Sequence, residues 1–292
     1  MSFSSYHPGV IILYFIPAFF CCALFDQPIF TAISSGAAFA CALAVGGRRS
    51  LIPCLITLPF VPAYALYYWS FHHFGLTVVR ENFAGNSLTM ESFLFGLSLG
   101  ARIAAFFLLI LCLFHVFSTD KLIYLTGRVW PRLSLYLAVC FRGFPRMRQA
   151  SSACFLGRAG IGFGLREQGI SSVKNALKVA SAAFSWLLES YLISARSMES
   201  RGYSLKGRTA FAIYRFDNRD RGLVVLLCLL LACIGAGAAL DQTRMLFDPQ
   251  IIINRITPLS CLFYAAYAAF MLTPVLTGAA AGAGYKRNLR RM

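Results

Sequence analysis

Apolar and polar positions fall in long blocks along this chain. Residues 10–25 form an apolar run closed by Asp26-Gln27-Pro28. A second run covers 29–46 and ends at Gly46-Gly47-Arg48-Arg49, and a third covers 51–71 with Pro53, Pro59 and Pro62 inside it. Those prolines predict kinks, which a membrane span tolerates when neighbouring helices satisfy the freed carbonyls. Residues 72–91 are mixed and read as a loop or a short interfacial helix. A fourth run, 92–117, carries Arg102 near its start, a charge expected to snorkel to the interface or face a protein neighbour. Charges become frequent from Ser118 to Gly222, after which apolar runs return at 223–240 and 256–277 before a basic tail, Lys286 to Arg291. The organisation expected is a membrane part with four spans over 1–117, a cytoplasmic region over 118–222, and a membrane part with two spans and a basic tail over 223–292.

Within the polar block the period changes to that of amphipathic helices. Thr119-Asp120-Lys121-Leu122 reads as a helix start, with Thr119 as N-cap, and predicts a short helix that breaks at Gly127. Pro131 opens a second helix with Leu133, Leu137, Cys140, Phe141 and Phe144 as its apolar positions and Arg142, Arg146 and Arg148 elsewhere. Pro145 predicts a kink, and the glycines from Gly157 to Gly169 predict the break that follows. A third helix starts after Gly169, capped by Ser171 or Ser172. Its apolar positions are Val173, Leu177, Ala180, Phe184, Leu187, Leu188, Tyr191, Ala195 and Met198. Steps of three and four residues predict one face of a helix about eight turns long. Gly202 suits the left-handed position just past its end, which leaves Arg201 on the last turn, where a cation complements the helix dipole.

Composition supports a membrane chain. Of 292 residues, 58% are hydrophobic and 13% charged, whereas soluble domains carry about 25% charged residues. The fold class expected is an all-α integral membrane protein, with about six transmembrane helices plus long amphipathic cytoplasmic helices. The net charge of +16 would suit nucleic acid in a soluble protein, but in a membrane protein basic excess marks cytoplasmic loops. With six spans and the N-terminus inside, the cytoplasmic segments hold 23 of the 27 Lys and Arg residues. This orientation places both termini in the cytoplasm and no nucleic acid among the partners. The first run lacks the basic flank and small-residue cleavage site of a secretory signal and reads as a retained span.

Ten cysteines, mostly inside apolar runs and without Cys-x-x-Cys spacing, read as small hydrophobes. His72 and His73 are adjacent and cannot converge on one ion from a helix or strand, so no metal site is expected. The chain has no Gly-x-x-x-x-Gly-Lys-Ser/Thr phosphate loop, no nucleophile–base constellation and hardly any acids in its spans. No catalytic residue and no cofactor bound by this chain are therefore expected.

The polar block also carries a resemblance. In order it presents Thr119-Asp120-Lys121-Leu122, Pro131, Arg142-x-x-Pro145, an arginine motif near 158, and Ala195-Arg196-Ser197-Met198-Glu199-Ser200-Arg201-Gly202-Tyr203, followed by Gly207-Arg208-Thr209. This resembles the transmembrane T component of energy-coupling factor (ECF) transporters, the ABC-type importers of vitamins and transition-metal ions. It covers roughly 92–210, and the flanking spans by topology alone. The resemblance implies a non-catalytic scaffold in a prokaryotic plasma membrane. Two cytoplasmic ATPases using ATP and Mg would be linked through it to a small substrate-binding membrane subunit, with the lipid bilayer around it. It further implies that Arg201, flanked by Ser200 and Gly202, enters a groove on one ATPase. Arg158, flanked by Gly157 and Ala159 where the family usually has Ala-Arg-Gly, would enter the other. The apolar faces of the two coupling helices, including Phe141, Phe144, Leu177, Phe184, Leu187, Tyr191 and Met198, would pack on each other and on the substrate-binding subunit. Two readings from the residues alone stand beside this one: an integral-membrane interfacial enzyme, and a membrane-anchored basic binding module.

Overall fold

A computed structural model describes residues 3–72, 75, 77–81, 87–162, 170–203, 205, 214–243 and 257–280. These divide into two compact units, one of residues 1–118 with 214–292 and one of residues 119–213.

The first unit holds α1 (Pro8–Leu24), α2 (Pro28–Gly46), α3 (Leu51–Phe71), α4 (Met90–Val116), α8 (Asn218–Ala239) and α9 (Pro258–Met271). A further helix, α10 (Thr273–Ala280), meets α9 at a bend of 60°. By length and apolar content, four helical stretches can cross a membrane, and five if the bent pair is one span. One of the four is the 44-residue stretch Pro28–Phe71, and α1, at 17 residues, is shorter than each of these four. Another is Ser172–Ser200, whose mean hydropathy of 1.2 compares with 2.4 for α4 and 2.6 for α8.

Local chemistry sets the helix ends. Pro8 and Pro28 open α1 and α2 at positions where the missing N–H costs nothing. Asp217 and Asp220 form a capping box that starts α8 within the polar stretch, five residues before its apolar run begins. Thr257 and Ser260 do the same for α9. Between α3 and α4 the chain forms a short antiparallel pair, β1 (Val78–Glu81) with β2 (Ser87–Thr89), and not the interfacial helix that was one expectation. β-Branched Val78 and Val79 favour the extended form. His72 stacks face to face on Tyr68 at 4.0 Å, while His73 lies outside the described residues.

α4 is the central element of this unit, with α3 on one side and α2 and α1 on others. α3 and α4 approach closely because Gly96 and Gly100 lie one turn apart on the contact face. A Cβ at Gly96 would stand 2.9 Å from the Tyr68 Cβ and 3.2 Å from the Ala65 backbone. One at Gly100 would stand 3.1 Å from the Val61 carbonyl oxygen. This is the small-xxx-small packing by which helices associate in lipid, where hydrophobic burial gives little drive.

Arg102 does not snorkel freely. Its guanidinium donates to Asp26 in the α1–α2 turn at 2.6 Å. The same turn is fixed by the amides of Asp26 and Gln27, both donating to the Thr243 carbonyl at 3.2 Å. Gln27, fully buried, donates to the Tyr264 hydroxyl at 2.7 Å. Deeper in the unit the Tyr14 hydroxyl donates to the Met271 carbonyl at 2.8 Å and that of Tyr267 to Ser34 at 3.2 Å. All ten cysteines are free. Asp26→Ala strands the Arg102 charge and is expected to destabilise the purified chain by about 1–2 kcal/mol, less than a fully buried pair because Asp26 is partly exposed. Adding Arg102→Met should restore much of the lost melting temperature; a double variant no more stable than Asp26→Ala would rule out the pairing as the cause.

Candidate functional site: the paired helices of residues 119–213

The second unit contains α5 (Thr119–Val129), α6 (Pro131–Gly160) and α7 (Ile170–Ser200). α5 does not break at Gly127 as its sequence suggests. Gly127 lies under Ser134 of α6, where a Cβ would come within 3.1 Å of the Ser134 hydroxyl. That hydroxyl donates to the Ile123 carbonyl. Close packing offsets the roughly 1 kcal/mol that an interior glycine costs a helix, and the break falls instead at Trp130-Pro131, where proline disfavours helix for the residue before it. α6 then runs as one helix through Pro145. Burial pushes the pKa of the Lys121 ammonium on α5 down.

α6 and α7 lie antiparallel along a seam of small side chains. On α6 it uses Gly143 and Ala150, and on α7 Asn175, Val179, Ala183 and Leu187, all buried. At one end of the seam the Tyr191 hydroxyl donates to the Val139 carbonyl at 3.0 Å. A Cβ at Gly143 would meet that hydroxyl at 2.5 Å. Tyr191→Phe is expected to lower stability by about 1 kcal/mol, and Gly143→Val by more, because Tyr191 must leave its place. Equal melting of Gly143→Val and wild type would show that this contact does not hold the pair.

Among the seven apolar positions expected on the coupling-helix faces, the structure brings two to this seam: Leu187, 8% exposed, and Tyr191, half-buried. Phe141, Phe144, Leu177, Phe184 and Met198 remain exposed, Phe144 by 81%. The rest of the seam was not visible in the sequence because much of it is made by small residues, Gly143, Ala150 and Ala183. Its signal is the spacing of four at 175, 179, 183 and 187, with Gly143 and Ala150 two turns apart. At about 100° per residue, the exposed residues Phe144 and Phe155 on α6, and Leu177 and Phe184 on α7, lie about 110–140° round from the seam. Antiparallel packing puts both stripes on the same side of the pair. Among the described residues of this unit, that side stays open.

The two arginine ends differ. α7 closes in a Schellman motif. The Tyr203 amide donates to the Met198 carbonyl at 3.1 Å and the Gly202 amide to Glu199 at 2.9 Å. Gly202 takes the left-handed conformation, with φ +75°. Ser200 is the last helical residue, and Arg201 follows it, exposed. A guanidinium is thereby held just beyond a fixed helix end, with its donors turned to solvent. Arg158 sits inside the last turn of α6 between Gly157 and Ala159, half-buried. The left-handed glycine comes only at Gly162, φ +90°, with the Ile161 and Gly162 amides donating to the Arg158 and Ala159 carbonyls. Alanine at 159 keeps the chain helical where a left-handed glycine would have ended it, so the two arginines have different backbone settings.

Arg158 and Arg201 stand at the C-terminal ends of antiparallel helices, and so at opposite ends of the pair. Arg201 lies 10 residues beyond the Tyr191–Gly143 contact and Arg158 15 residues beyond it in the opposite direction, which sets their axial separation at about 37 Å. Arg166, the rest of the glycine-rich stretch from 163 to 169, and Gly207-Arg208-Thr209 lie outside the described residues. Among the described residues no group of three His, Cys, Asp or Glu side chains could hold a metal ion. The chain matches no protein-family model and no curated protein.

Proposed function

We propose that this chain is the transmembrane T component of an ECF-type importer, which couples two cytoplasmic ATPases to a small substrate-binding membrane subunit. The observation that carries this reading is the α7 terminus: an exposed arginine just past a long helix, fixed by a left-handed glycine, in the residue context Met198-Glu199-Ser200-Arg201-Gly202-Tyr203. A guanidinium so placed can fork onto carboxylates or carbonyls of a partner. The second arginine end, at the far end of an antiparallel pair, suits a scaffold addressed to two ATPase subunits at once.

Six spans complete the proposal: α1, α2, α3, α4, α8, and α9 with α10. Residues 119–213 are then cytoplasmic, where 14 of the 27 basic residues fall. α7 is long and apolar enough to span, yet Lys174, Lys178, Arg196 and Glu199 lie along its ends, and a seam residue, Asn175, is polar. It is read here as a cytoplasmic helix with one face for α6 and one for a partner. The cargo, a vitamin or a transition-metal ion, is recognised by the separate subunit, while ATP and Mg are bound by the ATPases.

Co-expression with two ATP-binding-cassette ATPases encoded next to this chain tests the proposal. Recovery of both with the tagged chain, and ATP-dependent uptake when a substrate-binding membrane subunit is added, is expected. Recovery of neither ATPase would overturn it in favour of an interfacial enzyme or a basic binding module.

A further inference from the structure

Each arginine end carries a second exposed feature. Ile161 follows Arg158 by three residues and is 76% exposed; Leu205 follows Arg201 by four and is 72% exposed. Both are large aliphatic side chains, and a turn bond holds each of them close to its helix end. The Ile161 amide, at the C-cap of α6, donates to the Arg158 carbonyl at 3.1 Å. The Leu205 amide donates to the Gly202 carbonyl at 3.1 Å. That bond folds the leucine back on the α7 cap, where a Cβ at Gly202 would stand 3.0 Å from the Leu205 Cδ1. The glycine thus serves the left-handed turn and also leaves room for the leucine next to Arg201. Single exposed aliphatics are ordinary on a protein surface. These two stand out because each accompanies an arginine, at two helix ends whose backbone settings differ.

Magnitudes give that pairing a role. A guanidinium–carboxylate contact open to water strengthens binding by no more than about fivefold, since solvent and salt screen it. Arginines that dominate an interface contribute about thirtyfold or more, and do so where apolar contacts around them exclude water. Arg201 is exposed and supplies the fork. Leu205 supplies the apolar surface next to it. We propose that Leu205 and Ile161 are second anchors of the two ends. Each enters a partner groove with its arginine, buries its aliphatic surface on an apolar lip, and closes water out of the guanidinium contact. The groove that fits has carbonyl or carboxylate acceptors at its floor and an apolar rim. This rests on the importer reading, in which the two grooves belong to the ATPase subunits.

The test uses the full-length chain in lipid nanodiscs and the two ATPases encoded next to it, with their affinity measured at about 50 and about 500 mM salt. Leu205→Asn is expected to weaken ATPase binding about tenfold. Its binding should also fall further with salt than that of wild type, because the guanidinium contact is then open to water. Leu205→Met keeps the apolar bulk and should stay within about twofold of wild type. Ile161→Asn should act in the same way and by less, as Arg158 is itself half-buried. Melting temperature should not change in any of the three, since both side chains are exposed past a helix end. Wild-type affinity and salt dependence in Leu205→Asn, with Arg201→Ala still defective, would overturn the proposal and leave the importer reading standing. A loss that Leu205→Met shares, or that accompanies a lowered melting temperature, would make Leu205 a brace for the α7 cap and overturn it too. Binding of neither ATPase by wild type falls on the importer reading itself, and the anchors fall with it.

Discussion

Arg201→Ala is expected to abolish recovery of the ATPases with this chain and to reduce ATP-driven uptake at least about thirtyfold, the loss of roughly 2 kcal/mol that marks an arginine hot spot. The cap bonds are made by the amides of Gly202 and Tyr203, and an exposed side chain beyond the helix end has little folding role, so melting of the variant should match wild type. Arg201→Lys keeps the charge but loses the planar fork, and should fall nearer to alanine than to wild type. Gly202→Val acts at the same end through the backbone. With φ at +75°, a β-branched residue is strained by about 1–2 kcal/mol, so the Schellman bonds open and the arginine loses its fixed aim. If Arg201→Ala retains ATPases and uptake at wild-type levels, the assignment of this residue is wrong. The same substitution at Arg158 should cost less, because its side chain is half-buried and lies inside the helix. A larger loss at Arg158 than at Arg201 would reverse the ranking of the two ends.

Gly96→Leu and Gly100→Leu are expected to have the largest effects on stability, at least about 3 kcal/mol each, at the upper end of the usual cost of overpacking. The nearest atoms in the way are backbone and Cβ atoms of α3, at 2.9–3.3 Å from the new Cβ, with one Tyr64 ring carbon beside Gly100, and the backbone cannot swing aside as the end of a long side chain can. α3 packs mainly on α4 and exposes most of its remaining surface, including Ile52, Leu55 and Phe71. Once pushed off α4 it has little else to hold it. Gly235 on α8 is the control, since a Cβ there meets nothing within 4 Å. Gly235→Ala should be neutral or slightly stabilising, as alanine favours helix over glycine by about 1 kcal/mol. Melting of the purified variants in detergent decides it; a Gly96→Leu chain that melts with wild type would refute the close α3–α4 packing.

Helices were legible in this sequence where apolar runs met prolines or caps. The starts of α1, α2, α3 and α4 fall within two residues of the boundaries that hydrophobicity alone suggests. α8 starts earlier because the Asp217–Asp220 box draws polar residues into its first turn. The last apolar run is two helices, α9 and α10, bent next to Pro274, which cannot donate to the preceding turn. The β1–β2 pair was not legible, since seven residues of strand carry too few alternating positions to establish a period. In the candidate site, Gly202 announced the α7 end directly, because only a left-handed residue stops a helix in that way. The α6–α7 seam did not announce itself. Hydrophobic periodicity finds the large side chains, and here most of those face away from the neighbouring helix, while Gly143, Ala150 and Ala183 join Leu187 and Tyr191 in the contact. The partner of Arg102 was equally hidden, as nothing local links it to an aspartate 76 positions earlier.

The contact of Tyr191 with Gly143 and Val139 has a mechanical consequence. It lies 10 residues from Arg201 along α7 and, through Gly143, 15 residues from Arg158 along α6. At 1.5 Å per residue these are arms of about 15 and 22 Å. The rest of the seam, Ala150 with Asn175, Val179, Ala183 and Leu187, lies on the Arg158 side of this contact, so the long arm is braced along its length and the short arm, beyond the seam, is not. A sideways push at Arg201 then tilts α7 about this contact, while the same push at Arg158 is shared with the seam. An input delivered evenly at both arginines would therefore shear the pair asymmetrically and tilt its apolar side instead of translating it.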